Sequence, residues 1–244
     1  MLVKAQNYVS VYLSEEILKM AFVQGKGATA KVANVVARDV KGLTDKDLPN
    51  IIKSCFGQLK AGGADVYYLV PPSMITTKNI EIPSVNPEEI KSIVSLQAGR
   101  HTPFSRDEIQ VGYVNLGQSK PNYSKVLLVI ANKNSLKKQM VVLDKSGLKV
   151  KKVLIGSEGM AALYSEALGL KADSTPTGLV DIGKYSTDFI LAFKGYPITT
   201  RTIPVGRTQL AAEGTVAQEK LADELGKTME SFKNEDLAPM PSSY

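Results

Sequence analysis

The sequence predicts an α/β fold of two related halves, each a three-stranded meander with a helix, and a small α/β unit between the two meanders. Three observations carry this. Apolar, β-branched and aromatic runs parted by turn residues come in threes, at Tyr8–Ser14, Ile17–Val23 and Lys31–Val40 and again between Gly178 and Gly206. Residues 75–155 switch between strand and helix periods in the order β-α-β-β-α-β. Laid without gaps, Val9–Gly25 matches Leu179–Gly195, with Gly25 falling on Gly195 and the apolar runs falling together.

In the first half, Ser14-Glu15-Glu16 and Gly25-Lys26-Gly27 separate the strands. Thr44-Asp45-Lys46-Asp47 then opens a helix whose Leu48, Ile51, Ile52, Cys55, Phe56 and Leu59 recur at helical spacing, and Gly62-Gly63 stops it. Asp65–Val70 is a further strand, closed by Pro71-Pro72. The middle unit reads strand Ile75–Ile82, helix Pro87–Arg100, strands Ile109–Leu116 and Lys125–Ala131, helix Ser135–Lys145 and strand Leu148–Ile155. Its first helix has Asn86 as cap, Pro87 in the first turn, Glu89 in a capping-box position, and Ile90, Ile93, Val94 and Ala98 as its buried stripe. Leu136, Met140 and Leu143 are the stripe of the second. Ser157-Glu158-Gly159-Met160-Ala161-Ala162-Leu163 begins a helix that runs to Gly169, the second meander follows, and Gln218–Lys233 closes with Leu221, Leu225, Met229 and Phe232 on one face.

Composition limits the chemistry. The 244 residues carry 30 Lys and Arg against 24 Asp and Glu, a net charge of +6 that is spread along the chain apart from Lys137-Lys138 and Lys149–Lys152. A nucleic-acid binder shows a denser basic stripe with aromatics for stacking, so no nucleic-acid partner is expected, and the excess reads as solvated surface before contact with an acidic partner or anionic leaflet. The single cysteine, Cys55, excludes an internal disulfide framework and reads as a small core residue. With His101 the lone histidine, a metal site built on Cys and His is not expected. No run reaches the ~18 apolar residues of a membrane span, and the first residues lack a signal peptide's apolar core, so the expected location is cytoplasmic.

The turn after Asp181-Ile182-Gly183 is the candidate site. Asp181 stands where strand gives way to turn, Gly183 allows close backbone approach, and Ser186 and Thr187 add hydroxyls, so the group could converge on a phosphate or its metal. Asp and Gly are equally what an ordinary hairpin turn requires.

The order of a Glu-x-x-Ala-Ala-Leu helix from Glu158, a strand ending in Asp-x-Gly, a meander, Ile203-Pro204-Val205-Gly206 and a helix resembles the second half of the actin-like ATPase superfamily. Within it, Ile82-Pro83-Ser84 with Pro87-Glu88-Glu89-Ile90, and His101-Thr102-Pro103-Phe104 followed by Asp107-Glu108-Ile109, resemble the type IV pilus assembly PilM family, whose relatives include the cell-division protein FtsA and the cytoplasmic part of the type II secretion protein GspL. The resemblance implies an actin-like fold of two RNase H-like lobes with an inserted small α/β subdomain and a shortened second lobe. The boundaries expected are residues 1–73 for the first lobe, 74–155 for the insertion and 156–244 for the second. It also implies a nucleotide or phosphate site at Asp181, Gly183, Ser186, Thr187, Gly206 and Glu158, which would take ATP with magnesium weakly.

An ATP-binding member carries a matching Asp-x-Gly turn in its first half. Residues 8–24 contain neither Asp nor Gly; Val11 or Tyr12 takes the carboxylate's place and Glu15 and Glu16 occupy the turn, where they would repel a triphosphate. Nor does a Gly-Gly turn follow the last helix before Tyr244. The reading is therefore a non-catalytic scaffold of a pilus or type II secretion-like inner-membrane platform, held peripherally at that membrane by the cytoplasmic tail of a membrane protein, with self-association as a further possibility. In the resembling family such a tail lies where the first lobe meets the insertion, which points to Met74, Ile80 and Ile82 as partner-binding residues. The alternative is a working ATPase or phosphotransferase on the actin, sugar-kinase and Hsp70 fold.

Overall fold

The structure, a computed structural model, describes residues 7–25, 29–167 and 176–233. The glycine turn at Lys26-Gly27, the helix end expected at Gly169 and the C-terminal residues 234–244 lie outside the described residues. The chain divides into two compact units, residues 1–71 with 134–156, and residues 72–133 with 157–244.

The first unit is built on a five-stranded sheet in the order β3-β2-β1-β4-β8. Strands β1 (Tyr8–Leu13), β2 (Ile17–Gln24) and β3 (Lys31–Asp39) form the antiparallel meander. β4 (Asp65–Val70) then pairs parallel to β1, and β8 (Val150–Ile155) parallel to β4. Alternate residues of the central strands face one side: Val9, Val11 and Leu13 of β1 and Val66, Tyr68 and Val70 of β4 are all buried. Helix α1 (Leu48–Leu59) packs on β2 and β3 and buries Ile52, Cys55 and Leu59, so the cysteine is a core residue. It ends not at the glycine pair but at Lys60, whose backbone turns left-handed (φ 52°) and returns its N–H to the Gly57 carbonyl. Tyr68 is fully buried and its hydroxyl donates to the Leu13 carbonyl oxygen; burial pushes its phenol well above the usual value.

This sheet corrects one expected boundary. Helix α3 (Lys133–Lys145) and β8 do not close the inserted unit but return to the first lobe, so the insertion spans residues 72–133 rather than 74–155. The reason lies in β4. Its Val66, Tyr68 and Val70 are buried, so its second edge must also be paired, and a parallel partner reached through a helical crossover supplies those hydrogen bonds. The stripe of α3 shifts accordingly: Val142 and Leu143 are buried, whereas Leu136 and Met140 are half-buried.

The second unit holds two three-stranded sheets. One has the order β5-β7-β6, from β5 (Ile75–Ile82), β7 (Tyr123–Asn132) and β6 (Ile109–Lys120), with α2 (Pro87–Gln97) packed on it. Ile82, Ile90, Val94, Ala98, Ile109, Val126, Leu128 and Ile130 form their common core. At the helix start the Asn86 side chain accepts from the backbone N–H groups of Glu88 and Glu89. The Glu89 carboxylate does not reach back to the cap; it takes the Ser84 hydroxyl, whose oxygen accepts the Asn86 N–H instead. The other sheet is the meander β9 (Thr177–Ile182), β10 (Thr187–Phe193) and β11 (Tyr196–Ile203). Phe189, Leu191 and Ile198 pack with Met229 and Phe232 of α6 (Thr215–Lys233). Helix α4 (Gly156–Ala167) precedes this meander and a short α5 (Arg207–Glu213) follows it.

Two outcomes test this packing. Ile82→Ala should cost about 2–5 kcal/mol in denaturant unfolding, as a large-to-small change in a closed core does. Glu81 accepts hydrogen bonds from Lys120 and Ser119, which hold its carboxyl below the usual range. The small stability this lends is present above the ordinary glutamate pKa and lost as pH falls through the depressed value. In NMR titration, Lys120→Met should therefore move the Glu81 midpoint upward.

Candidate functional site

The turn that joins β9 to β10 is Gly183-Lys184-Tyr185-Ser186, closed by the Gly183 N–H donating to the Ser186 carbonyl oxygen at 2.9 Å. Antiparallel pairing across it sets Ile182 opposite Thr187 and Asp181 opposite Asp188. Gly206 packs on this turn so closely that a Cβ there would stand 2.5–2.6 Å from backbone atoms of Tyr185 and Ser186. A Cβ on Gly183 would lie 2.8 Å from the Ser186 carbonyl oxygen. Both positions need glycine for this contact between backbones.

The start of α5 is tied to the same turn. The N–H groups of Arg207 and Thr208 donate to the carbonyl oxygens of Gly183 and Lys184, both at 2.9 Å, and the Gln209 side chain accepts the Gly206 N–H at 3.0 Å. Donors of this kind, at a helix start beside a glycine turn, are what phosphate-binding loops use. Here they hold the turn to the helix.

The structure thus brings Gly183, Ser186, Thr187 and Gly206 into one knot, with Asp181 two residues before it and half-buried. Thr187 has a different role from the one expected. It is fully buried, and its hydroxyl donates to the Val205 carbonyl oxygen at 2.6 Å, so its proton is committed to joining β10 to the segment before α5. Glu158 is half-buried in the first turn of α4, where a carboxylate is favoured by the helix dipole. Next to it Ser157 is fully buried and its Oγ has no hydrogen-bond partner among the described residues.

Sequence reasoning missed Asp188 and Thr202. The Thr202 hydroxyl donates to the Asp188 carboxylate at 2.6 Å, and pairing extends the row to Asp181 on the far strand. A signal existed: once the turn is placed at residues 183–186, ladder counting sets 181 opposite 188. Among the described residues no group of three or more His, Cys, Asp and Glu side chains is placed to hold a metal.

The corresponding turn of the first unit joins β1 to β2. The Ser14 Oγ accepts the N–H groups of Glu16 and Ile17 at 3.3 and 3.1 Å, and the Ser14 N–H donates to the Ile17 carbonyl at 3.0 Å. Glu16 in turn meets Lys41 at 3.4 Å.

Of the partner-binding candidates, Ile82 is fully buried in the core of the insertion and so is not available to a partner, because the stripe facing α2 claims it. Ile80 packs half-buried against that same core. Met74 is half-buried in a one-turn 3-10 helix, Pro72–Met74, which leads into β5.

The family model described as "Type IV pilus assembly protein PilM" matches residues 13–232. This chain belongs to that family. Among solved structures, the PilM-family fold here is similar to a PilM-PilN type IV pilus biogenesis complex, at 18% identity and a TM-score of 0.76 over 95% of this chain and 79% of that one. It is also similar to the cytoplasmic domain of EpsL, an inner-membrane component of the type II secretion system of Vibrio cholerae, at 13% identity and a TM-score of 0.54 over 86% of this chain and 76% of that one. No curated protein matches the sequence. The fold is that of the actin-like ATPases, as the order of elements implied. No helix among the described residues is long and apolar enough to cross a membrane.

The knot makes a measurable demand. Thr187→Val removes a donor and leaves the buried Val205 carbonyl unpaired, so it should cost about 1–3 kcal/mol in denaturant unfolding. Gly206→Ala should cost at least as much, because backbone rather than a movable side chain occupies the space.

Proposed function

We propose that this PilM-family chain is a non-catalytic, actin-like scaffold of a type IV pilus or type II secretion-like inner-membrane assembly platform, and that it binds the cytoplasmic tail of a membrane partner. The observation that carries the non-catalytic half is the β1–β2 turn. Phosphoryl transfer on a two-lobed fold needs oriented donors about the phosphates and a metal to neutralise their charge. In this turn the N–H groups of Ser14, Glu16 and Ile17 are spent on the turn itself, and the neighbouring Glu15 and Glu16 would add negative charge beside an anion. The Asp181 turn is closed in a similar manner, with its glycine N–H on Ser186 and the following helix start on its carbonyls. Any ATP with magnesium would therefore be held weakly, through Asp181, Ser186 and the backbone near Gly183.

The scaffold half is supported by family membership and by likeness to a structure described as a complex with PilN and to the cytoplasmic domain of an inner-membrane component. A tail docking as an extended segment wants adaptable apolar contacts. Met74, ahead of β5, fits that role better than Ile80 and Ile82, which serve their own core.

Calorimetric titration with ATP and magnesium should give no micromolar binding, and purified chain should give no turnover sensitive to Asp181→Ala. Micromolar affinity together with Asp181-dependent hydrolysis would make the chain an enzyme. A tail peptide from a membrane protein encoded beside this gene should bind at least tenfold more weakly after Met74→Asp, with the variant shown to be folded by circular dichroism.

A further inference from the structure

The excess positive charge is not shared between the two units. The first, residues 1–71 with 134–156, holds fifteen Lys and Arg against seven Asp and Glu, and the second holds fifteen against seventeen. Six of the first unit's cations lie within residues 134–156, where Asp144 is the one anion. Part of this charge lines an open groove of about 460 Å³, bounded by Asp45 ahead of α1 and by Asn134, Lys137, Lys138, Val141, Val142 and Lys145 of α3. Positions 134, 137, 138, 141 and 145 recur at helical spacing, so they form one face of α3. Lys137, Lys138 and Lys145 are exposed and make no ion pair among the described residues. Val141 stands among them 41% exposed.

We propose that this face of α3 docks on the anionic phospholipid headgroups of a bilayer, so that the chain contacts the membrane directly as well as through a partner. Three lysines on one helix face, against Asp45 as the one anion of the groove's lining, make a locally positive surface that an anionic layer complements. The cations are all lysines, mobile point charges without the planar fork that fixes one carboxylate or phosphate in place. Such a set suits a fluid layer of headgroups better than a single shaped ligand. Val141 adds a small apolar contact at the level where headgroups meet acyl chains. The face carries no aromatic side chain for stacking on bases, which sets nucleic acid aside. The inference does not rest on the tail-binding scaffold, because its test uses the chain alone.

The experiment is co-sedimentation of purified full chain, without partner, with vesicles of phosphatidylcholine alone and of phosphatidylcholine mixed with phosphatidylglycerol. Binding should appear only on the mixed vesicles and should fall steeply between 50 and 300 mM salt, roughly as the Debye length shortens from over 10 Å to about 6 Å. The triple variant Lys137→Glu, Lys138→Glu, Lys145→Glu should bind about 100-fold more weakly, on the scale of one decade or less per lysine near such a surface. A control with the same charge change on exposed lysines of the second unit, Lys91→Glu, Lys194→Glu, Lys220→Glu, should keep most of its binding. Should the first variant fail to fold, Gln at the same three positions gives the same comparison. Absence of binding to the mixed vesicles at 50 mM salt, or equal loss in both variants, would overturn the proposal. So would binding of polyglutamate through these three lysines without sedimentation on phosphatidylglycerol, which would give the face to an acidic protein.

Discussion

The first unit depends on β4 being hydrogen-bonded on both edges. Val66, Tyr68 and Val70 are buried, and a strand in that position cannot leave one row of N–H and C=O groups unpaired without losing a large part of the sheet's stability. The meander supplies one neighbour, β1. The other is β8, which the chain reaches only after residues 72–133 have been placed in a different unit. The insertion is therefore bounded by a requirement of the lobe it interrupts. Its own sheet, β5-β7-β6, is complete with one helix and needs no fourth strand to bury Ile82, Val126 and Leu128.

The two hairpin turns, between β1 and β2 and between β9 and β10, are each closed on themselves, by different means. At the first, the short Ser14 side chain gathers two backbone N–H groups. At the second, backbone meets backbone across Gly206 and Gly183, and the start of α5 is sewn to the turn's carbonyls. Hydrogen bonds of this kind contribute little net energy each, but once made they leave a donor unavailable to an anion unless the turn is rebuilt. The second turn and the start of α5 are thereby fastened to each other.

Charge is divided as the polar groups are. The first unit concentrates an excess of cations on α3 and β8, while in the second unit ion pairs such as Arg201 with Glu224 and Lys227 with Asp223 balance locally. The overall value of +6 conceals this division, because it averages a basic unit with a slightly acidic one. Charge sets where a protein is attracted more than how it folds.

Much of this was legible in the chain. Turn residues at Ser14 and Gly183, alternation in the strands, and helical spacing in α1, α2 and α6 determine element type and the face each buries, because those are local properties of residues a few positions apart. The lack of Asp and Gly in residues 8–24 likewise determined that the first turn carries no carboxylate at the expected place. Tertiary structure alone decided that α3 and β8 belong to the first lobe, since β-α-β-β-α-β reads the same whichever sheet takes the last strand. It decided that Ile82 is core and not surface, and that the Thr187 hydroxyl donates to Val205. In each case the deciding group is a partner far along the chain or across a turn, and the pattern of a residue's own neighbours cannot say which distant atom will satisfy it.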